Sequence, residues 1–207
     1  LRLDVLIEYS HRLAALAATV LIVATIVLTL RGTRAPGLRR LAWLLPALLA
    51  VQIALGGITV LLKLPHLIST AHLVNALLIL AGLIVLARGL PAAAPARPRA
   101  GDDRLRRLGR VGLVVLLVQL ALGGYVRHSG AGLACPDFPL CSGDLLPTQW
   151  LAGVHWVHRW LGVLLLGLFV HVAVAGRTTV TRLVAALAVL QVALGIATVL
   201  LQLTPVV

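Results

Sequence analysis

Charge is scarce in this sequence. Only 12% of its 207 residues are Asp, Glu, Lys or Arg, against 60% hydrophobic residues and a mean hydropathy of +1.05. No soluble domain of this size has enough interior to hide so much apolar surface, so a water-soluble fold is excluded. Cysteine is scarce too. With only Cys135 and Cys141, a metal site built on cysteine would need further ligands. No signal peptide is expected, because Leu1 is not a Met start and Glu8 and His11 interrupt the first apolar run.

What remains is apolar length. The runs 5–28, 41–62, 67–87, 111–126, 153–175 and 180–203 are mostly close to the roughly 20 residues that cross a bilayer. Backbone satisfaction in lipid makes them helices. The reading is an all-α membrane protein with six spans. The run 111–126 is short, and its helix is expected to begin in the arginine-rich segment before it.

The formal net charge of +12 could suggest nucleic acid, but its placement excludes that partner. Arg31, Arg34, Arg39 and Arg40 fill one connection. Arg88, Arg97, Arg99, Arg104, Arg106, Arg107 and Arg110 fill another, and Arg177 and Arg182 flank a third. The intervening connections hold only Lys63, Arg127 and the N-terminal Arg2. This alternation is the positive-inside pattern. The arginine-rich loops are expected in the cytoplasm, and the N-terminus, 63–66 and 127–152 outside. The segment 91–108, with Pro91, Pro95 and Pro98, reads as a cytoplasmic linker between a first bundle at 1–90 and a second at 109–207.

The two halves repeat one another. Glu8-Tyr9-Ser10-His11-Arg12 and His155-Trp156-Val157-His158-Arg159 share a grammar, 147 residues apart at the histidines. The phrase Gln-x-Ala-Leu-Gly occurs at Gln52, Gln119 and Gln191, each time on an outward-going helix, with 139 residues between the first and last. Its small residues read as helix packing, with Gln bonding across the interface. The pattern predicts tandem pseudo-symmetric four-helix bundles, six of the eight helices being present. One helix is expected before Leu1. Another, carrying a fourth histidine, is expected near position 211.

His11, His72 and His158 lie a turn or two inside the same face on helices of one direction. Ionisable residues there read as functional, and neutral imidazoles in a bundle core suit a haem iron. The bland alternative is an interhelical histidine hydrogen bond. Zinc lacks the companion ligands. His155 reads equally as a ligand's neighbour or a loop-edge residue. His66 reads as solvated, His171 as packed, and His128 as touching a propionate or water. Cys135 and Cys141, on the expected outer face, read as a disulfide. Glu8 sits one turn from His11. It could anchor the interface by pairing with Arg12, or stabilise charge and move protons in a low-dielectric site.

The stretches Leu122-Gly123-Gly124-Tyr125-Val126-Arg127, Ser129 to Cys141 and His155-Trp156-Val157-His158-Arg159 resemble the second half of the heme A synthase family. Glu8-Tyr9-Ser10-His11-Arg12 and the helix of His72 resemble its first half. The resemblance implies oxidation of the C8 methyl of haem O to a formyl group, giving haem A for terminal oxidases. It implies substrate haem at His11 and His72, with Glu8 as the catalytic carboxylate. It places a haem b cofactor at His158, whose partner ligand lies on the absent helix. His155, Arg12, Arg127 and Arg159 would border the haems, the arginines pairing with propionates or snorkelling to the interface. Cys135 and Cys141 would form the outer disulfide. Membrane lipid, a haem O synthase and an electron acceptor are the implied partners, in the cell membrane. Two other functions stay open: a di-haem b electron carrier that leaves its haem unaltered, and a repeat-built transporter with a histidine proton relay.

Overall fold

The computed structural model describes residues 3–89 and 102–202. Helix α1 spans Leu3–Gly32, α2 Pro36–Leu61, α3 His66–Gly89, α4 Asp102–His128, α5 Trp150–Gly176 and α6 Thr179–Leu200. All six are long and apolar enough to cross a membrane. The expected all-helical fold is therefore present, each apolar run lying on its own helix. As expected, α4 starts upstream of its apolar run, inside the arginine-rich segment. Of the expected linker 91–108, residues 91–101 lie outside the described part. Residues 102–108 form the first turns of α4, where Leu105 packs beside Gly176 at the end of α5.

Several hydroxyls are satisfied within their own helix. The hydroxyls of Thr19, Thr25 and Thr29 each donate to the carbonyl four residues back, at 2.8 Å, so they add no unpaired group in lipid. Pro36 opens α2, where its missing N–H costs nothing. Arg39 caps the end of α1 by donating to Leu30 O at 2.9 Å. Arg177 ends α5 in the left-handed region (φ 49°), and a reciprocal Thr178–Thr181 capping box then starts α6.

The described residues form two compact units. One comprises α1, α2 and most of α3. Its core is Ile26, Leu45, Ile79 and Leu86. Gly82 admits Leu45, since a Cβ there would lie 2.9 Å from Leu45 Cδ2. The other comprises α4, α5, α6, the connection 129–149 and residues 64–70. Its buried cluster is Cys135, Cys141 and Ala152, with Ala134 and Trp156 against it. Much of the apolar helix surface, including Leu16, Leu21, Leu164 and Leu187, is exposed, which suits contact with lipid.

Candidate functional site

In the first unit α3 turns His72 toward α2. Gln52 Nε2 lies 3.3 Å from His72 Nε2. Asn75 Nδ2 donates to Gln52 Oε1 at 2.7 Å and to Leu48 O at 2.9 Å. Because Gln52 Oε1 is the acceptor for Asn75, its NH2 group faces the ring. His72 Nε2 then accepts, and the proton sits on Nδ1. That Nδ1 is buried and has no hydrogen-bond partner in the structure. One turn below Gln52 is Gly56. A Cβ there would lie 3.2 Å from His72 Cε1.

His11 is exposed on α1 and within electrostatic range of His72. Glu8 and Arg12, also exposed, form an i,i+4 ion pair. The structure thus places the two first-half histidines in one part of this unit. Glu8 carries the neighbouring negative charge, on the turn that holds His11.

In the second unit Gln119 Nε2 donates to the backbone carbonyl of His158 at 3.0 Å. Gly162 gives that amide its space, since a Cβ there would lie 3.0 Å from Gln119 Nε2. A Cβ at Gly123, one turn after Gln119, would lie 2.9 Å from His158 Cε1. His158 Nδ1 is also buried and without a hydrogen-bond partner in the structure.

His155 and Arg159 face the cysteine loop. His155 is 4% exposed, and its Nε2 accepts from Arg159 Nε at 3.1 Å. Arg159 Nη1 donates to Asp137 O at 2.6 Å and Leu140 O at 3.3 Å, and Nη2 to Cys135 O. The guanidinium is therefore turned toward the loop. The loop is closed by the Cys135–Cys141 disulfide. A tight turn follows, with Cys141 and Asp144 exchanging backbone bonds of 3.0 and 3.1 Å. Ser142 and Gly143 both take positive φ there, the geometry of a type I′ turn. The Asp137 carboxylate accepts from Ser142 N at 2.6 Å and Gly143 N at 3.0 Å. These amides, with Arg159 behind them, hold its carboxyl below the ordinary carboxylate range. Gln202 reaches back from beyond α6 to Pro136 O at 3.3 Å. Arg127 and His128 are exposed at the end of α4.

The donor set suits one class of metal group. Among the described residues no three of His, Cys, Asp or Glu converge as a metal site, so these side chains do not complete tetrahedral zinc. A haem iron brings its own porphyrin nitrogens and asks the protein for axial imidazoles only. His158, whose buried Nδ1 has no partner among the described residues beside a cradling glycine, fits that demand; His72 would meet it through Nε2, exchanging the Gln52 amide for the metal. An open apolar hollow of about 400 Å³, lined by Pro139, Leu140, Leu145, Leu146, Trp156 and Trp160, does not share the face of His158. At 100° per residue, Trp156 and Trp160 each stand about 160° from His158 on α5.

Asn75, Asp137 and Gln202 carried no sequence signal as site residues. The glutamines and glycines did, through their repetition, but repetition does not say what they touch.

Residues 2–207 match the family model described as cytochrome oxidase assembly protein, COX15-CtaA. Heme A synthase of Symbiobacterium thermophilum is 33% identical over 168 residues, 74% of this chain and 53% of that one. Heme A synthase of Rhodospirillum centenum is 34% identical over 165 residues, covering 70% and 44%. That of Shouchella clausii is 31% identical over 212 aligned positions, covering 95% and 70%. The chain spans about half the length of the first two relatives.

Proposed function

The chain belongs to the cytochrome oxidase assembly protein family, COX15-CtaA, and on that premise we propose that this multi-pass membrane protein serves haem A biosynthesis. The proposed reaction is oxidation of the C8 methyl of haem O to a formyl group. That these relatives are heme A synthases supports the haem A role. The observation that carries the haem reading is the paired seating of His72 and His158, each with its ring edge against a glycine of the same repeated phrase.

The roles follow from position. His11 and His72, on two helices of the first unit, would hold the substrate haem. His158 would hold a haem b, with its second ligand supplied by a helix following α6. Bound haem b supplies a redox centre through which electrons leave toward an acceptor. Glu8 is the base available on the turn of His11. Oxidising a methyl group builds positive charge at that carbon. A carboxylate in a low-dielectric site stabilises that charge, or takes the proton of a water that adds there. Arg12 pairs with Glu8 one turn along α1. His155 and Arg159 join the turn of His158 to the disulfide loop, and Arg127 remains a candidate for a propionate. Haem O synthase would deliver the substrate.

The test is expression of the full-length protein with a source of haem O, followed by haem extraction. Hydroxylated or formylated haem is expected, and Glu8→Ala should abolish it. Unaltered haem O beside two retained b haems would establish an electron carrier instead. A colourless protein would establish neither.

A further inference from the structure

The phrase Gln-x-Ala-Leu-Gly repeats without an assigned purpose beyond helix packing. Two of its copies meet a histidine in the same way. At Gly56 the nearest atoms to a built Cβ are His72 Cε1 at 3.2 Å, Nδ1 at 3.8 Å and Nε2 at 3.9 Å. At Gly123 they are His158 Cε1 at 2.9 Å and both ring nitrogens at 3.7 Å. Each imidazole therefore approaches the helix edge-on, Cε1 leading, with one nitrogen to either side. Each glycine lies four residues after a glutamine and so shares its face. Gln52 reaches the ring of His72, and Gln119 the backbone carbonyl of His158. The neighbouring Gly57 has nothing within 4 Å of a built Cβ. The phrase is thus not a uniform strip of small residues.

We infer that Gln-x-Ala-Leu-Gly is a histidine seat: the glycine admits the ring edge and the glutamine locks a histidine about two turns into the next helix. Gly56, Gly123, Gln52 and Gln119 are positioning residues. They act through the imidazole and set the direction in which its ring nitrogens point. A β-carbon at either glycine pushes the ring off the helix. The displacement is larger at Gly123, where the contact is already closer than real Cβ atoms adopt. The link to iron rests on the haem-ligand reading given above; the seat itself does not.

The experiment is a double-mutant cycle in the full-length protein, read by thermal unfolding. Gly123→Ala should lower the midpoint by several degrees in the native background. In a His158→Ala background, where no ring remains to collide, it should cost nothing. Gly56→Ala should behave likewise against His72→Ala, with a smaller effect. Gly57→Ala should cost the same with or without His72. Should Gly123→Ala fail to fold, recovery on adding His158→Ala supports the seat, and failure to recover overturns it. Additive effects in both cycles overturn it as well.

The second readout is hemin titration with low-temperature electron paramagnetic resonance. Gly123→Ala should weaken hemin binding tenfold or more, or shift the low-spin signal, while Gly57→Ala matches the native protein. A wild-type protein that binds no hemin would sink the haem-ligand reading and leave the thermal cycle to decide the seat.

Discussion

Arg159 shows what one side chain settles. Its guanidinium serves three loop carbonyls, those of Cys135, Asp137 and Leu140, and the ring of His155. A planar fork can do this; a single ammonium cannot. Arg159→Gln would strand several partly buried acceptors, at roughly 1–3 kcal/mol each and not additively. The loop should then open more readily. Reduction of Cys135–Cys141 by dithiothreitol, followed by thiol alkylation, should quicken by about tenfold or more. Arg159→Lys should recover only part of the protection. An unchanged reduction rate would show that the disulfide loop holds itself. Asp137 gives the pH dependence of the same loop. Its carboxyl is held low by the amides of Ser142 and Gly143, with Arg159 adding to them. A depressed carboxylate pKa stabilises the fold above the unfolded value, and that stabilisation is lost as pH falls through the folded value. Loop protection should therefore be flat from neutrality down to the ordinary carboxylate range and fail only below it. Asp137→Asn should remove this acid-sensitive step, as followed by reduction rate against pH with a phosphine reductant, which attacks without needing a thiolate.

At the scale of elements, apolar length was enough to find every long helix among the described residues, because lipid leaves a polar backbone no other option. The boundaries were less legible. Residues 102–108 looked like linker because their arginines outweigh Leu105 and Leu108, yet the helix runs through them. The histidines could be named from their spacing, while their partners could not. Whether Gln52 touches a ring or a carbonyl depends on the rotation of α2 against α3, which no one-dimensional pattern records. Asn75 is the clearest case. It reads as one more polar residue in a span, but it bridges α3 to Leu48 O and orients the Gln52 amide. Asn75→Leu should cost about 0.6–2 kcal/mol as an interhelical bond in a membrane. It should also free Gln52 to rotate away from His72. Hemin affinity at the first unit should then change by a different amount from that in a variant of equal thermal cost that leaves Gln52 alone. Equal changes would reduce Asn75 to a packing residue.

At the scale of the whole molecule, the proposed topology puts the segments 31–40 and 88–110 on one side of the membrane and the disulfide loop on the other. Alkaline phosphatase fusions should be active at the loop and silent at the arginine-rich segments, and the reverse result would invert the chain. The duplication adds a sharper consequence. Gln52 and Gly56 on α2 seat the histidine of α3, and Gln119 and Gly123 on α4 seat the histidine of α5. The third copy, Gln191 to Gly195 on α6, has Gln191 exposed and, among the described residues, nothing within 4 Å of a Cβ built on Gly195. If the phrase does one job throughout, this copy is the seat for a histidine on the next helix, the proposed second ligand beside His158. Gly195→Ala should then be silent in the 207-residue segment, where it meets nothing. In the full-length protein it should lower haem b content and shift the low-spin resonance, as Gly123→Ala does. Equal haem content and an unchanged signal in the full-length Gly195→Ala variant would confine the seat to the two copies seen here and remove α6 from the haem b site.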